Sequence, residues 1–318
     1  MDKKIGVKIL STGSYFPEKI LTNDDLAKMV DTSDEWISTR TGIKERHIAA
    51  KDEFASDLAY KASIDAISRA GIKNEDIDLI ICATASPDMA FPSVACYLQT
   101  KLGLTETPAF DLTAACTGFI YALSTAKAYI EAGIYKTILI IGSENLTRFT
   151  DWTDRNTCVL FGDGAGAMVL TASEKEDDIL STYMGADGSY ASLLFMLAPG
   201  EPNAKIRMSG KEVFKIAVTK MSHAAEKAIE LAGKTNEDID LFIPHQANMR
   251  IIEAVIKKVG IPTEKIFINL HKTGNISSAT TITALDEAIK TGRVKKGDLV
   301  ALVAFGGGFT WGSTVIRI

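Results

Sequence analysis

Apolar positions along the chain recur in two patterns, one with helical spacing and one typical of strands. Residues 63–71 and 225–233 place alanine and isoleucine at helical spacing and end in glycine, which predicts two amphipathic helices. An acidic turn follows each helix. The short apolar runs after these turns, 79–82 and 241–244, are typical of buried strands. This alternation of helices and strands predicts an α/β protein.

The two stretches are similar enough to indicate an internal duplication. Aligning Asn74 with Asn236, an offset of 162 residues, superposes the run Asn-Glu-Asp-Ile-Asp-Leu in both copies. A second pair, residues 116–133 and 275–292, predicts two helices that end in glycine at an offset of 159 residues, and a small net deletion would reconcile the two offsets. A period of half the chain is too long for a solenoid and predicts two homologous halves packed face to face.

The duplication also indicates where the halves divide. Residues 172–178 are polar and charged, as in a linker or a solvated loop. We therefore predict an N-terminal half over residues 1–172 and a C-terminal half over residues 173–318. The second alignment places Cys116 and Asn275 at equivalent positions near helix starts, so related loops would meet near a common axis.

Composition and charge narrow the class of protein. The 318 residues are 46% hydrophobic and 24% charged, as in ordinary globular proteins. The formal net charge of -5 gives no basic field, so nucleic acid is not expected as a partner. No apolar run approaches the roughly 18 residues of a membrane span. Residues 1–10 lack the apolar core of a signal peptide and are predicted as the first strand of a cytoplasmic protein.

Cysteine placement singles out one candidate nucleophile. The four cysteines have no CxxC spacing, which argues against a zinc site and a disulfide framework. Cys82, Cys96 and Cys158 lie within apolar or helix-like runs and fit packing. Cys116 follows an apolar run, has small neighbours and precedes a long helix. The helix dipole and free N–H groups there would lower its pKa, which predicts a thiolate nucleophile; packing is the alternative.

Other polar and glycine-rich positions allow two interpretations each. His245 follows a predicted strand at the carboxyl end, where α/β sheets bind ligands, although a structural or merely exposed histidine is the alternative. Asn275 precedes a helix and alone fits a plain N-cap. The glycines 306–308 follow a strand and could expose N–H groups to an oxyanion. The glycine-rich run 162–167 leads into a strand, which favours a tight turn over a nucleotide site.

Together these stretches resemble the thiolase superfamily and, within it, the β-ketoacyl-acyl-carrier-protein synthase III family. The resemblance covers essentially the whole chain and implies a thiolase-like fold, in which duplicated αβ halves form a five-layered αβαβα architecture. It also implies a catalytic set of Cys116, His245 and Asn275, because elongating relatives resemble Cys/His/His and thiolases use a second cysteine. The motifs that carry the resemblance are residues 32–37 (TSDEWI), 40–43 (RTGI), 115–119 (ACTGF), 161–167 (FGDGAGA), 244–248 (PHQAN), 274–275 (GN) and 306–312 (GGGFTWG).

The resemblance implies a decarboxylative Claisen condensation that initiates fatty acid biosynthesis. Cys116 would take the acyl group of an acyl-CoA primer, while the N–H groups of Cys116 and Gly307 hold the oxyanion. Malonyl-acyl-carrier-protein, an acidic partner, would then lose CO2 as neutral His245 and Asn275 donate hydrogen bonds to its thioester oxygen. No cofactor other than the CoA thioester substrate, and no metal, is implied.

Further positions are implied to contact CoA, a second subunit or the carrier protein. Phe91 resembles a residue lent by the partner subunit to the acyl pocket, which implies a homodimer. Arg250 and Lys257 resemble a basic contact for the carrier protein. Asn156 departs from the family pattern, which has glycine at this position. The positions implied for CoA and its pantetheine arm are Trp36, Arg40, Arg155, Met208, Gly210, Phe214, Ala247 and Asn248.

Two rival functions fit parts of the pattern. Another thiolase-fold acyltransferase, such as a 3-hydroxy-3-methylglutaryl-CoA synthase or a secondary-metabolite synthase, would not release CO2 from malonyl-acyl-carrier-protein. A non-catalytic acyl-CoA-binding or scaffold protein would form no covalent adduct with acetyl-CoA. The preferred acyl chain does not follow from the sequence, because small backbone shifts control the shape of the acyl pocket.

Overall fold

A computed structural model describes residues 5–318. The predicted first strand over residues 1–10 lies partly outside this range, and the observed strand begins at Gly6. The α-helices are α1 (Asn23–Leu26), α2 (Asp34–Thr41), α3 (Ala55–Ala70), α4 (Val94–Lys101), α5 (Gly118–Glu131), α6 (Arg155–Cys158), α7 (Gly210–Leu231), α8 (Met249–Val259), α9 (Leu270–Thr273) and α10 (Thr280–Lys290). The strands are β1 (Gly6–Tyr15), β2 (Lys19–Thr22), β3 (Glu45–Ile48), β4 (Leu79–Ala83), β5 (Ala109–Leu112), β6 (Thr137–Asn145), β7 (Asp163–Ser173), β8 (Ile179–Ala186), β9 (Leu194–Phe195), β10 (Arg207–Met208), β11 (Leu241–Pro244), β12 (Leu299–Gly306) and β13 (Thr310–Arg317).

Two mixed sheets repeat the same strand order. The first sheet has the order β1-β7-β6-β4-β5, in which two antiparallel pairs are followed by two parallel pairs. The second has the order β8-β13-β12-β11, again with two antiparallel pairs and then a parallel pair. A parallel bridge between Phe242 and Ile266 takes the place of a fifth strand. The sheet topology therefore contains the internal duplication that the sequence predicted.

Helices form three layers around these sheets. Helices α5 and α10 lie between the sheets, where Phe119 and Ile282 share one buried cluster with residues of both. Helices α3 and α4 cover the outer face of the first sheet, and α7 and α8 cover the outer face of the second. This order of layers is the five-layered αβαβα architecture that the family resemblance implied. No helix in residues 5–318 is both long and apolar enough to cross a bilayer.

The central strands are apolar along their whole length because helices cover both of their faces. In β6, Ile138 and Ile140 face the helices between the sheets, whereas Leu139 and Ile141 face the outer helices. Strand β12 is likewise buried throughout. The period of two along each strand therefore divides its side chains between two cores.

Backbone conformation corrects the second part of the predicted repeat. Ala115 and Ser277 have left-handed φ values of 45° and 47°, although neither is glycine, and each begins a 3-10 turn that leads into a helix. They are offset by the same 162 residues as the first pair, so Cys116 corresponds to Ser278 and not to Asn275. The discrepancy of three residues arises inside the helices, since α5 has 14 residues and α10 has 11.

The glycine-rich run 162–167 is not the tight turn that the sequence favoured. Strand β7 begins at Asp163, and the run pairs with β6 and β1. A Cβ atom on Gly166 would lie 2.5 Å from Cγ2 of Ile282 in α10. Glycine is therefore required where the helix presses directly on the strand.

Candidate active site

A cavity of about 710 Å³ lies beyond the carboxyl ends of β5, β11 and β12. Open α/β sheets bind ligands at this edge. The cavity walls include Cys116, His245, Asn275 and Gly307, which come from both halves of the chain. The fold thus brings the three candidate catalytic side chains into one space. Residues 5–318 contain no cluster of three or more potential metal-ligating His, Cys, Asp or Glu side chains.

Cys116 lies in the 3-10 turn Ala115–Thr117, and α5 begins only at Gly118. Burial raises the pKa of its thiol to about 12, while a hydrogen bond with Ser277 acts in the opposite direction. The thiolate predicted for the resting protein is therefore wrong, because the helix terminus does not outweigh desolvation. The sulfur is protonated at neutral pH, and its proton must leave when it attacks a substrate.

The loop after β12 holds the turn that carries Cys116. A Cβ atom on Gly306 would lie 2.6 Å from the backbone nitrogen of Cys116, so the two backbones are in direct contact. The hydroxyl of Thr310 donates a hydrogen bond of 2.9 Å to the carbonyl oxygen of Ala114. No loop or turn hydrogen bond in residues 5–318 uses the backbone N–H of Cys116 or of Gly307. Both N–H groups are therefore available to an oxyanion in the cavity.

His245 follows β11 and is held from the protein interior. Its backbone N–H donates to the carbonyl oxygen of Val303 at 2.7 Å, and its Nδ1 lies 2.6 Å from the hydroxyl oxygen of Thr280. Nε2 has no hydrogen-bond partner in the described part of the chain, and the residue lines the cavity. Burial lowers the pKa of His245 to about 3, so its ring is neutral at physiological pH.

Asn275 uses one end of its amide for local structure and leaves the other end free. Its Oδ1 accepts a hydrogen bond of 2.9 Å from the backbone N–H of Ser277, which is an Asx turn. Its backbone pairs with the carbonyl oxygen of Leu160 and the N–H of Gly162. The capping interpretation therefore describes the oxygen only. The NH2 group has no partner within residues 5–318 and remains available at the cavity wall.

A buried carboxyl group supports the same turn from behind. Oε1 of Glu144 accepts hydrogen bonds from the N–H and the hydroxyl of Ser278, at 3.2 and 2.7 Å. Its Oε2 accepts from the hydroxyl of Ser86 at 2.6 Å and from the N–H of Ala85 at 3.0 Å. Burial raises the pKa of Glu144. Sequence reasoning missed this residue, although a glutamate that ends a fully apolar strand is a signal for a buried polar network.

Most positions implied for CoA line the cavity. The guanidinium groups of Arg40 and Arg155 lie 4.5 and 4.8 Å from the centroid of the Trp36 ring, so the three side chains form one cluster. Arg155 is not part of the cavity wall itself, whereas its neighbour Asn156 is. The other implied positions on the wall are Met208, Gly210, Phe214, Ala247 and Asn248.

The residues implied for protein contacts lie in three different places. Phe91 is 82% exposed on the loop before α4 and does not line the cavity of its own chain. Arg250 lines the cavity at the start of α8. Lys257 lies in the last turn of the same helix, roughly 10 Å further along its axis.

The paired αβ halves and the shared cysteine, histidine and asparagine define a thiolase-fold condensing enzyme. The family models "3-Oxoacyl-[acyl-carrier-protein (ACP)] synthase III" and its C-terminal counterpart match residues 110–188 and 229–318. The chain belongs to the β-ketoacyl-acyl-carrier-protein synthase III family and is an acyltransferase. The resemblance found in the sequence is therefore confirmed, and a non-catalytic binding protein does not agree with it.

Individual relatives match over the full length. The chain is 51% identical to the beta-ketoacyl-[acyl-carrier-protein] synthase III of Xanthomonas campestris pv. campestris (strain 8004), with 100% of both chains covered. It is 52% identical to the same enzyme of Caldanaerobacter subterraneus subsp. tengcongensis, with 100% of this chain and 99% of the relative covered. The crystal structure of 3-oxoacyl-[acyl-carrier-protein] synthase III from Aquifex aeolicus VF5 matches with a TM-score of 0.95 and 51% identity, covering 98% of this chain and 100% of that chain.

Replacing Gly306 with alanine is expected to displace the turn that carries Cys116. The new Cβ would lie 2.6 Å from the Cys116 nitrogen, closer than real Cβ atoms approach. We expect the single-turnover rate of acyl transfer to Cys116 to fall about 100-fold and the free energy of unfolding to fall by about 1–3 kcal/mol. Gly188→Ala is the matched control, because no atom lies within 4 Å of its Cβ position. Acylation at the wild-type rate in Gly306→Ala would contradict this contact.

Proposed function

We propose that this enzyme condenses an acyl-CoA primer with malonyl-acyl-carrier-protein, releasing CO2 and giving 3-ketoacyl-acyl-carrier-protein at the start of fatty acid biosynthesis. The observation that carries the proposal is the convergence of Cys116, the neutral ring of His245 and the free NH2 of Asn275 on one cavity. The printed names of the relatives support the same carrier-protein chemistry. The cytoplasmic location expected from the sequence is part of the proposal.

The first half-reaction uses the Cys116 turn. The sulfur attacks the thioester carbonyl of acyl-CoA, and its bond to the acyl carbon replaces the bond from that carbon to the CoA sulfur. The thiol proton of Cys116 ends on the departing CoA sulfur, so charge is balanced. During the attack, the N–H groups of Cys116 and Gly307 bind the negative oxygen, because neither group is used by a loop or turn hydrogen bond in the described chain.

The second half-reaction uses the other two side chains. The thioester oxygen of the malonyl group accepts hydrogen bonds from the NH2 of Asn275 and from Nε2 of His245. When the bond to the carboxylate breaks, CO2 leaves and its bonding electrons remain as an enolate, which these two donors stabilise. The enolate carbon then attacks the acyl group on Cys116, and the cysteine leaves and regains a proton. A neutral imidazole suits this role, because it donates without giving up a full proton.

The cation cluster at Trp36, Arg40 and Arg155 supports a role in holding the CoA end of the substrate. Guanidinium groups bind phosphates, and an indole ring can stack on adenine. Arg250, exposed at the cavity edge, supports a contact with an acidic carrier protein that delivers its pantetheine arm into the same cavity.

Charge reversal in Arg250→Glu is expected to impair use of the carrier protein more than use of CoA. A charge at the rim of an interface acts mainly on encounter and orientation of the partner. We expect the KM for malonyl-acyl-carrier-protein to rise about tenfold, while acylation by acyl-CoA stays within about twofold. Lys296→Glu is the control, because this exposed lysine precedes the amino end of β12, away from the cavity. An unchanged KM for the carrier protein in Arg250→Glu would contradict the proposed contact.

Exposed apolar groups near β5 support the proposed homodimer. Phe91 and Met89, 82% and 42% exposed, lie on one loop. Strand β5 ends the first sheet and pairs only with β4, so its other edge is open within the described chain. A second copy would cover this edge and could place its Phe91 in the neighbouring acyl pocket. Sedimentation velocity distinguishes this dimer from the 34.3 kDa monomer.

A panel of straight and branched acyl-CoA primers, each assayed with malonyl-acyl-carrier-protein, tests the proposed reaction. We expect at least one primer to give a 3-ketoacyl-acyl-carrier-protein with equimolar CO2. Malonyl-CoA in place of the carrier substrate is the control for partner selectivity. Primers that acylate Cys116 without any CO2 release would favour a different thiolase-fold acyltransferase.

A further inference from the structure

The imidazole of His245 touches one polar side chain besides the cavity, and that side chain has two possible hydrogen-bond acceptors. The hydroxyl oxygen of Thr280 lies 2.6 Å from Nδ1 of His245 and 2.9 Å from the carbonyl oxygen of Ser277. Thr280 is the first residue of α10 and is 1% exposed. Its hydroxyl carries a single hydrogen, so the choice of acceptor determines which ring nitrogen of His245 is protonated.

Local geometry favours donation to the ring. The carbonyl oxygen of Ser277 already accepts a hydrogen bond from the backbone N–H of Thr280, whereas Nδ1 has no other partner in the described chain. N–H donors make bonds to oxygen of about 2.7–3.2 Å, and hydroxyl donors make shorter ones of about 2.5–3.0 Å. The observed 2.6 Å falls only in the hydroxyl range.

We propose that Thr280 is a positioning residue that fixes the tautomer of His245 by donating its hydroxyl hydrogen to Nδ1. The neutral ring then carries its own hydrogen on Nε2, the nitrogen without a protein partner. The kinetic part of this inference rests on the proposed function. In that reaction, Nε2–H and the NH2 of Asn275 are two donors held in place by the segment 275–280, one by Thr280 and one by the N–H of Ser277.

Removing the hydroxyl separates this role from the acylation chemistry. In Thr280→Val, Nδ1 faces a methyl group and loses its only donor, so nothing holds the ring hydrogen on Nε2. The donor to the malonyl thioester oxygen is then weakened. Acylation depends instead on Cys116 and on backbone N–H groups, which Thr280 does not contact through any side-chain hydrogen bond. Serine keeps the hydroxyl, so Thr280→Ser is the conservative variant.

Nitrogen-15 NMR of the full-length enzyme measures the tautomer directly. The chain has four histidines, and the His245 signals are assigned by their loss in His245→Gln. We expect the shifts of an Nε2–H imidazole in the wild type and in Thr280→Ser, and a shift toward the Nδ1–H form or a tautomer mixture in Thr280→Val. An Nδ1–H ring in the wild type would overturn the proposal, and this measurement does not depend on whether Thr280→Val folds.

Kinetics of the two half-reactions provide the second test. We expect Thr280→Val to slow CO2 release from malonyl-acyl-carrier-protein about 10–100-fold, the usual cost of losing a group that orients a catalytic histidine, and to leave acylation within about threefold. Thr283→Val is the matched control, because this buried hydroxyl donates only to the carbonyl oxygens of Ala279 and Thr280. Wild-type CO2 release in Thr280→Val, or failure of Thr280→Ser to retain it, would overturn the proposal. A wild-type enzyme that condenses nothing would instead overturn the proposed function, and the NMR result would stand separately.

Discussion

Replacing Cys116 with serine is expected to abolish transfer of an acyl group from acetyl-CoA to the protein. Burial already holds the thiol pKa near 12, and a hydroxyl in the same place is a far weaker nucleophile. We expect acylation to fall by at least about 1,000-fold, as when an enzyme loses its nucleophile. Intact-protein mass spectrometry measures the loss, because the wild type gains one acetyl group and the variant gains none.

A second cysteine provides the control for this experiment. Cys96 is also partly exposed, but its sulfur lies 3.6 Å from the carbonyl oxygen of Ala109 and outside the cavity wall. Cys96→Ser should therefore acquire the acetyl group as the wild type does. Circular dichroism should show the same fold in both variants, since serine and cysteine have similar volumes. An acetyl adduct on Cys116→Ser would show that another residue is the nucleophile.

Replacing Asn275 with alanine is expected to separate the two half-reactions. The NH2 of Asn275 is the free end of a side chain whose oxygen is held by Ser277, so it acts as a fixed donor for the enolate oxygen. Acylation of Cys116 does not use this donor and should stay within about threefold, whereas loss of one oxyanion donor costs about 100- to 1,000-fold. Single-turnover acylation and CO2 release from malonyl-acyl-carrier-protein give the two rates separately.

Asn156→Ala is the matched control for this variant. Asn156 lines the same cavity, but its side-chain NH2 donates to Asp154 at 3.1 Å. We expect both half-reactions to proceed at nearly wild-type rates in this control. Equal losses of acylation and CO2 release in Asn275→Ala would contradict the division of labour between the two halves of the reaction.

Sequence patterns predicted most of the fold because they report local periodicity and repetition. The matching runs that begin at Asn74 and Asn236 identified the two halves, and the observed sheets repeat the same strand order. The equivalence of Cys116 with Ser278 could not be predicted, because three residues are missing inside α10 and the alignment placed this gap before the helix. Only the left-handed backbone at Ala115 and Ser277 fixes the register.

The site was predicted in part for the same reason. Strand ends and motif order pointed to Cys116 and His245, but the pKa of the thiol depends on burial, which no local pattern reports. Thr280 was missed because it lies 35 residues from the ring it contacts. Ser277 could have been found, since an asparagine side chain often accepts a hydrogen bond from the backbone two residues further on.

Acyl-enzyme prepared with acetyl-CoA and then freed of CoA allows the most direct measurement. The protein is mixed with malonyl-acyl-carrier-protein labelled in its free carboxylate, and adduct, CO2 and carrier product are followed together. We expect each acetyl group lost from Cys116 to appear in one acetoacetyl-acyl-carrier-protein, with one labelled CO2 released. An acetyl adduct that persists through this treatment, or CO2 released without any new carbon–carbon bond, would contradict a condensing role for this cavity.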